Sequence, residues 1–126
     1  MNIIKLRPII TAEEKNTFVS EIQEAFQISY VSEFGKFEKK VLPTEDIEES
    51  FNTKGAEAYI AEIGGERIGG TVIVIDDKTG YNSLHLLYVK ASAQNAGNGF
   101  KIWKAIEELH PETKIWETHT PYYDKR

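Results

Sequence analysis

The stretch "LHLLYVKASAQNAGNGFKIWK", Leu84 to Lys104, runs from strand formers through a polar loop with two glycines straight into a regular apolar pattern. Phe100, Trp103, Ile106 and Leu109 recur at helical spacing, and the pattern stops near His110-Pro111. Lys114 to Thr118 reads as a further strand. A strand, a crossover helix and a strand imply parallel pairing of the two strands that flank the helix. The glycine-spaced loop opens that helix, where backbone N–H groups lack intrahelical partners and carry the positive end of the helix dipole. Such a place suits an anion.

Upstream of this unit the period is that of strands. Gly64-Gly65 is a two-residue hairpin signal, which sets Glu62 opposite Arg67 as a solvent-facing charge pair. Asp77-Lys78-Thr79-Gly80 marks a second turn, joining a strand from Gly70 to Ile75 with one from Ser83 to Val89. Three antiparallel strands therefore form a meander from Glu57 onward. Before them, Ile3 to Leu6 reads as a first strand stopping at Pro8, and Thr11 with Glu14 is a capping box. Phe18, Val19, Ile22, Ala25 and Phe26 give the following helix one apolar stripe. Between Gln27 and Lys40 the pattern blurs into a loop or a short irregular helix, and Pro43 to Glu49 reads as a second helix with acidic residues in its first turn. The fold class is α+β: a mixed sheet in which an antiparallel meander leads into one βαβ unit, with helices on both faces. Ligands bind at such switches, beyond the carboxyl ends of the strands.

Composition narrows the partners. The chain of 126 residues fits a single domain, 1–126, with ordinary proportions of hydrophobic (40%) and charged (28%) residues. Fifteen basic residues against 20 acidic ones give no global case for nucleic acid or an anionic membrane. With no cysteine there is no disulfide, thiolate metal site or cysteine nucleophile. The first residues are too short an apolar run for a signal peptide, and no stretch reaches the length of a membrane span, so the expected location is cytoplasmic.

Known phosphate loops can be compared with the opening stretch. A Walker A loop requires lysine after its last glycine, where Phe100 stands here, and a dinucleotide fingerprint requires three glycines, where this loop has Gly97-Asn98-Gly99. The segment does contain Gln94-Asn95-Ala96-Gly97-Asn98-Gly99, a Q-x-x-G-x-G after a strand and before an amphipathic helix. In this it resembles the GCN5-related N-acetyltransferase (GNAT) superfamily, whose central motif is a strand ending in Val, a short gap, and [RQ]-x-x-G-x-[GA] opening a helix. Gln94, Gly97 and Gly99 match that motif, Val89 fits the strand end, and the order of elements matches along the chain.

The resemblance implies acetyl-CoA as cofactor, its pantetheine arm held by the N–H and C=O of Val89. The residues fit independently: Lys90, Lys101 and Lys104 stand in a stretch from Lys90 to Ala105 with no acidic residue. Backbone N–H groups of Gln94, Asn95, Ala96, Gly97, Asn98, Gly99 and Phe100 could cradle a pyrophosphate. The implied activity is N-acetyl transfer to a primary amine on a small molecule or peptide, by direct attack in a ternary complex. A cysteinyl acyl-enzyme is ruled out by composition.

A primary amine is mostly protonated at neutral pH, so a base within reach assists its attack. His85, four residues before Val89, is the candidate; its stretch resembles the A-H-L-H-A-L-A-V of serotonin N-acetyltransferase, with Ser83 in place of the first histidine. The family also implies a backbone amide near Leu87 or Tyr88, freed by a bulge, that polarises the thioester carbonyl. Glu57, Glu62 and Glu117 read as ordinary strand residues, His110 and His119 lack metal-ligand spacing, and Ser92 lacks a nucleophile elbow. Tyr30, Phe34 and Phe37 lie where the family's first helices wall the acceptor site, or else pack in the core, and Glu33, Glu38, Glu45, Glu48 and Glu49 either favour a cationic acceptor or form a solvated face.

The chain ends at "ETHTPYYDKR", before the family's next helix and two further strands. The resemblance therefore implies a C-terminally short domain, and Tyr122 and Tyr123 precede the helix that bears the family's acid. An open edge at Lys114 to Thr118 would invite pairing with a second copy. The alternatives are a CoA-binding or assembly module without catalysis and a plain interaction domain without a cofactor.

Overall fold

The computed structural model describes residues 4–34, 44–93 and 97–118. Its order is β1 (Ile4–Pro8), α1 (Ala12–Phe34), α2 (Thr44–Asn52), β2 (Ala56–Ile63), β3 (Glu66–Val74), β4 (Tyr81–Val89), a 3-10 turn (Ala91–Ala93), α3 (Asn98–Leu109) and β5 (Ile115–Thr118). The strands lie in sequence order in one sheet. β1 to β4 pair antiparallel, and β4 pairs parallel with β5 across the α3 crossover. Among the described residues no helix is long and apolar enough to cross a membrane.

Each helix forms for a local reason. The Thr11 hydroxyl accepts from the Glu14 N–H (3.1 Å), and the Glu14 carboxylate accepts from the N–H groups of Ile10 (2.9 Å) and Thr11 (3.4 Å), closing the expected capping box. From there α1 continues to Phe34, well past the blurred pattern at Gln27. Nothing in 27–34 breaks a helix; Gly35 is the first glycine of the chain. Tyr30, Glu33 and Phe34 thus belong to α1, whereas Phe37 and Glu38 lie outside the described residues.

The sheet is covered on both faces. On one, Phe18, Ile22 and Ala25 of α1 and Ile47 of α2 pack on Val72, Leu86 and Tyr88. Phe18 meets Phe51 and Tyr88 edge-to-face at 5.1 and 5.0 Å between centroids. On the other, Ile102 and Ile106 of α3 pack on Ala61, Ile68 and Ile73, with Leu84, Leu87 and Val89 alongside. Trp103 of α3 meets Trp116 edge-to-face at 5.3 Å, seating β5.

The strands carry two irregularities. Ala61 faces Gly69 but Glu62 faces Arg67, so Ile68 is an extra residue in β3. Val72 faces Leu86 but Ile73 faces Leu84, so His85 is an extra residue in β4. Each bulge reverses which side chains meet which face. Beyond His85, Leu86 and Tyr88 turn to α1, while Leu87 and Val89 turn to α3.

Candidate functional site

The loop before α3 ends at Gly97, whose backbone is left-handed (φ 69°, ψ 17°) and which offers no side-chain cap to the helix. A left-handed turn favours glycine because other side chains crowd the backbone there. The amides of Asn98, Gly99 and Phe100 then open α3, where no intrahelical acceptor exists. A Cβ added at Gly97 would meet nothing within 4 Å, and one added at Gly99 would lie 3.8 Å from Val89 Cγ2. The start of α3 therefore stands beside the end of β4. A helix start with open space at Gly97, next to a strand end, suits a negatively charged, extended cofactor.

The residues expected to hold that cofactor are partly brought together. Gly99 adjoins Val89 at this junction, with Gly97 and the exposed Phe100 near it in the chain. Asn98 is buried and its side-chain amide donates to the Ala93 carbonyl (2.8 Å), so it braces the loop from within. Gln94, Asn95 and Ala96 lie outside the described residues. Lys90 and Lys101 are half-buried and Lys104 is exposed, its ammonium 3.6 Å from Glu107.

His85, the expected base, is half-buried and occupies the extra position of the β4 bulge. Leu87 packs in the α3-side core. Tyr88 is buried, and its hydroxyl donates to Glu21 Oε1 at 2.7 Å. Burial, then this carboxylate, holds the phenol well above its ordinary pKa. The described β4–β5 pairs run from Tyr81 with Ile115 to Leu84 with Thr118, and the bulge begins immediately after them.

Two polar clusters differ from the sequence reading. Glu62 and Arg67 do face each other in the ladder, but they are not each other's ion-pair partners. Glu62 accepts from Arg7 Nε (3.0 Å), while Arg67 grips Glu21 with Nε and Nη2 at 2.7 to 3.1 Å. Burial alone would raise the Glu21 pKa, but the hydrogen bonds from Arg67 and Tyr88 hold it below the usual carboxylate range. On the opposite face Glu57 is more than an ordinary strand residue: it accepts from the Tyr59 hydroxyl (2.7 Å) and meets His110 Nε2 at 2.8 Å, whose Nδ1 lies 3.2 Å from Glu112. Burial pulls the His110 pKa down, yet the two carboxylates outweigh it and the net shift is upward. Among the described residues no group of three or more His, Asp or Glu side chains is placed to hold a metal ion. Ser92 is exposed in the 3-10 turn, Glu117 faces Ser83 across β4–β5, and His119, Tyr122 and Tyr123 lie outside the described residues.

The sequence model of the acetyltransferase (GNAT) family matches residues 19–122. The uncharacterized protein YrkN of Bacillus subtilis (strain 168) is 43% identical over 110 residues, which cover 86% of this chain and 60% of that protein. The chain thus spans about three-fifths of this relative's length. Among solved structures, Tetrahymena GCN5 superposes with a TM-score of 0.65 at 14% identity over 94% of this chain and 72% of that one. PaiA N-acetyltransferase from Thermoplasma acidophilum, in complex with coenzyme A, gives 0.63 at 16% identity, over 93% and 79%.

Proposed function

The chain belongs to the acetyltransferase (GNAT) family, and from that premise we propose that it moves an acetyl group from acetyl-CoA to a primary amine by direct attack in a ternary complex. The observation that carries the reading is the junction of Gly97, Gly99 and Val89, where uncapped helix amides stand over the end of a bulged strand. That PaiA, of the same fold, was solved with coenzyme A supports the choice of cofactor.

Acetyl-CoA, when bound, supplies an acetyl group already activated as a thioester. The amides of Gly97 to Phe100, with those proposed at Gln94, Asn95 and Ala96, would receive the negative charge of its pyrophosphate, and Lys90, Lys101 and Lys104 would add attraction. Val89 offers its main chain to the pantetheine arm in the manner of an added strand. His85 accepts the proton that the amine must lose, directly or through a water. A main-chain N–H near Leu87 or Tyr88 would donate to the thioester carbonyl oxygen while the amine's C–N bond forms and the C–S bond breaks, coenzyme A leaving as a thiolate that then takes up a proton. The bulge at His85 supports both roles, because an extra residue re-aims its side chain and disturbs the ladder beside it. The acceptor is an amine-bearing small molecule or peptide.

Titration calorimetry of the chain with acetyl-CoA, beside Gly97→Glu, tests the reading. The added side chain meets no neighbour but takes a left-handed φ that disfavours it, and its carboxylate would repel the proposed pyrophosphate, so binding should be lost while circular dichroism stays that of a folded chain. Equal binding by the variant removes the cofactor from this loop. Binding without turnover of an amine panel would favour a CoA-holding module over an enzyme.

A further inference from the structure

We infer that Glu21 is a positioning residue for this site: gripped by Arg67, its carboxylate holds the Tyr88 hydroxyl and so fixes the end of β4 along which the cofactor is proposed to lie. The inference rests on the cofactor reading of Val89 and the Gly97 loop.

The geometry begins with the β3 bulge. In regular alternation, Ile68 would share the α1 face with Val72 and the Phe18-facing Gly70, and Arg67 would point toward α3. The extra residue reverses this, so that Ile68 joins the α3-side core and Arg67 reaches Glu21 on α1. The same two β3 residues then secure β4 on either side of Val89. Arg67 acts through Glu21 on the Tyr88 hydroxyl, and the Ile68 carbonyl accepts directly from the Lys90 N–H at 2.8 Å. Opposite Val89, Gly69 allows very close approach, since a Cβ there would clash with the Tyr88 carbonyl oxygen.

Stability alone does not call for this arrangement. The Tyr88 ring already packs against Phe18, and a phenylalanine would fill that core without taking a carboxylate out of water. A largely shielded carboxylate paired with a guanidinium whose side chain stays more than one-third exposed adds little net stability, and the clearest use of such a pair is to specify one geometry. Here the geometry specified is that of the strand end next to the Gly97 loop.

The test is titration of the full chain with acetyl-CoA, together with amide hydrogen exchange without ligand, for wild type, Tyr88→Phe, Glu21→Ala, Glu21→Gln and the Tyr88→Phe/Glu21→Ala double variant. Tyr88→Phe and Glu21→Ala should each weaken binding about tenfold, as expected for loss of a hydrogen bond to a charged group. The double variant should be no weaker than the worse single, because both break one link. Glu21→Gln should recover most of the affinity, since its amide oxygen can still accept from Tyr88. Exchange should quicken at Val89 and Lys90 ahead of the rest of the sheet. Wild-type affinity in Tyr88→Phe and Glu21→Ala, or quickening spread evenly over all core amides, overturns the inference while leaving the cofactor reading intact. A folded wild-type chain that binds no acetyl-CoA overturns both.

Discussion

On the α1 and α2 face, the apolar core around Phe18 is bordered by carboxylate–guanidinium pairs, Glu14 and Glu62 with Arg7 and Glu21 with Arg67. On the α3 face, the core around Ile102 and Ile106 is bordered by a histidine between carboxylates, His110 with Glu57 and Glu112. Arginine keeps its charge across the whole working range of pH, whereas histidine changes charge near neutrality. The two faces are thus alike in apolar packing and unlike in how acid and base act on them, and the face that carries the proposed cofactor helix is the one joined through a titrating group.

The likeness can be broken by truncating each core. Phe18→Ala should cost about 3–5 kcal/mol and Ile106→Ala about 2–5 kcal/mol in urea unfolding, since both side chains are fully buried. A loss below about 1 kcal/mol for either would show that its helix layer is not integral to the fold. Next in size, Arg67→Ala should cost about 1–3 kcal/mol, because it leaves a mostly shielded carboxylate with Tyr88 as its remaining described partner. His110→Gln should cost less, about 0.5 kcal/mol at neutral pH, after solvent screening of its partly exposed partners.

Thermal unfolding across pH sharpens the contrast. The folded His110 pKa is raised, so its contribution is complete below about 6.5 and is lost as pH rises through the folded value. Glu14 is the opposite case. Hydrogen bonds from the Ile10 N–H, then Arg7, lower it to about 2, so its contribution is complete above the ordinary 4.5 and is lost as pH falls toward 2. His110→Gln should therefore flatten the alkaline side of the stability profile and Glu14→Gln the acid side. Exchange of these effects between the two variants would refute the assignment of faces. The smallest effect is expected for Lys104→Ala, about 0.2–0.5 kcal/mol, because its pair with Glu107 is exposed and one helical turn apart.

Much of this architecture could be read from local signals. The Thr11 box, the Gly64-Gly65 turn, the strand ending at Val89 and the helix to Leu109 that Gly97 opens each combine residue type with spacing, and each forms as expected. The parallel β5 followed from the crossover. The β4 bulge was implied only by the family resemblance, nearer Leu87 or Tyr88 than the His85 position where it falls, and the β3 bulge had no local signal, because both strands place apolar residues on both faces and a change of parity is then masked. Ion-pair partners were hidden for a different reason: the ladder shows that Glu62 faces Arg67, but Arg7 of the neighbouring β1 takes Glu62, and the packing of α1 brings Glu21 to Arg67. Glu57 with His110 likewise joins β2 to the end of α3, far apart in sequence. Of the proposed cofactor residues, the motif located the loop, while the inward-turned Asn98 amide required three dimensions.

The sheet order also sets a timetable for synthesis. β1 is made before its partner strand: Ile4 pairs with Ile63, which is completed roughly 3–12 s later at ordinary translation rates. During that interval α1 can coil on its own, but the first strand has no native neighbour. Its sequence suits the wait: Lys5 and Arg7 alternate with its apolar residues and Pro8 closes it, features that discourage pairing between nascent chains. The charges that later face α1 would thus first serve to keep one unfinished molecule apart from the next.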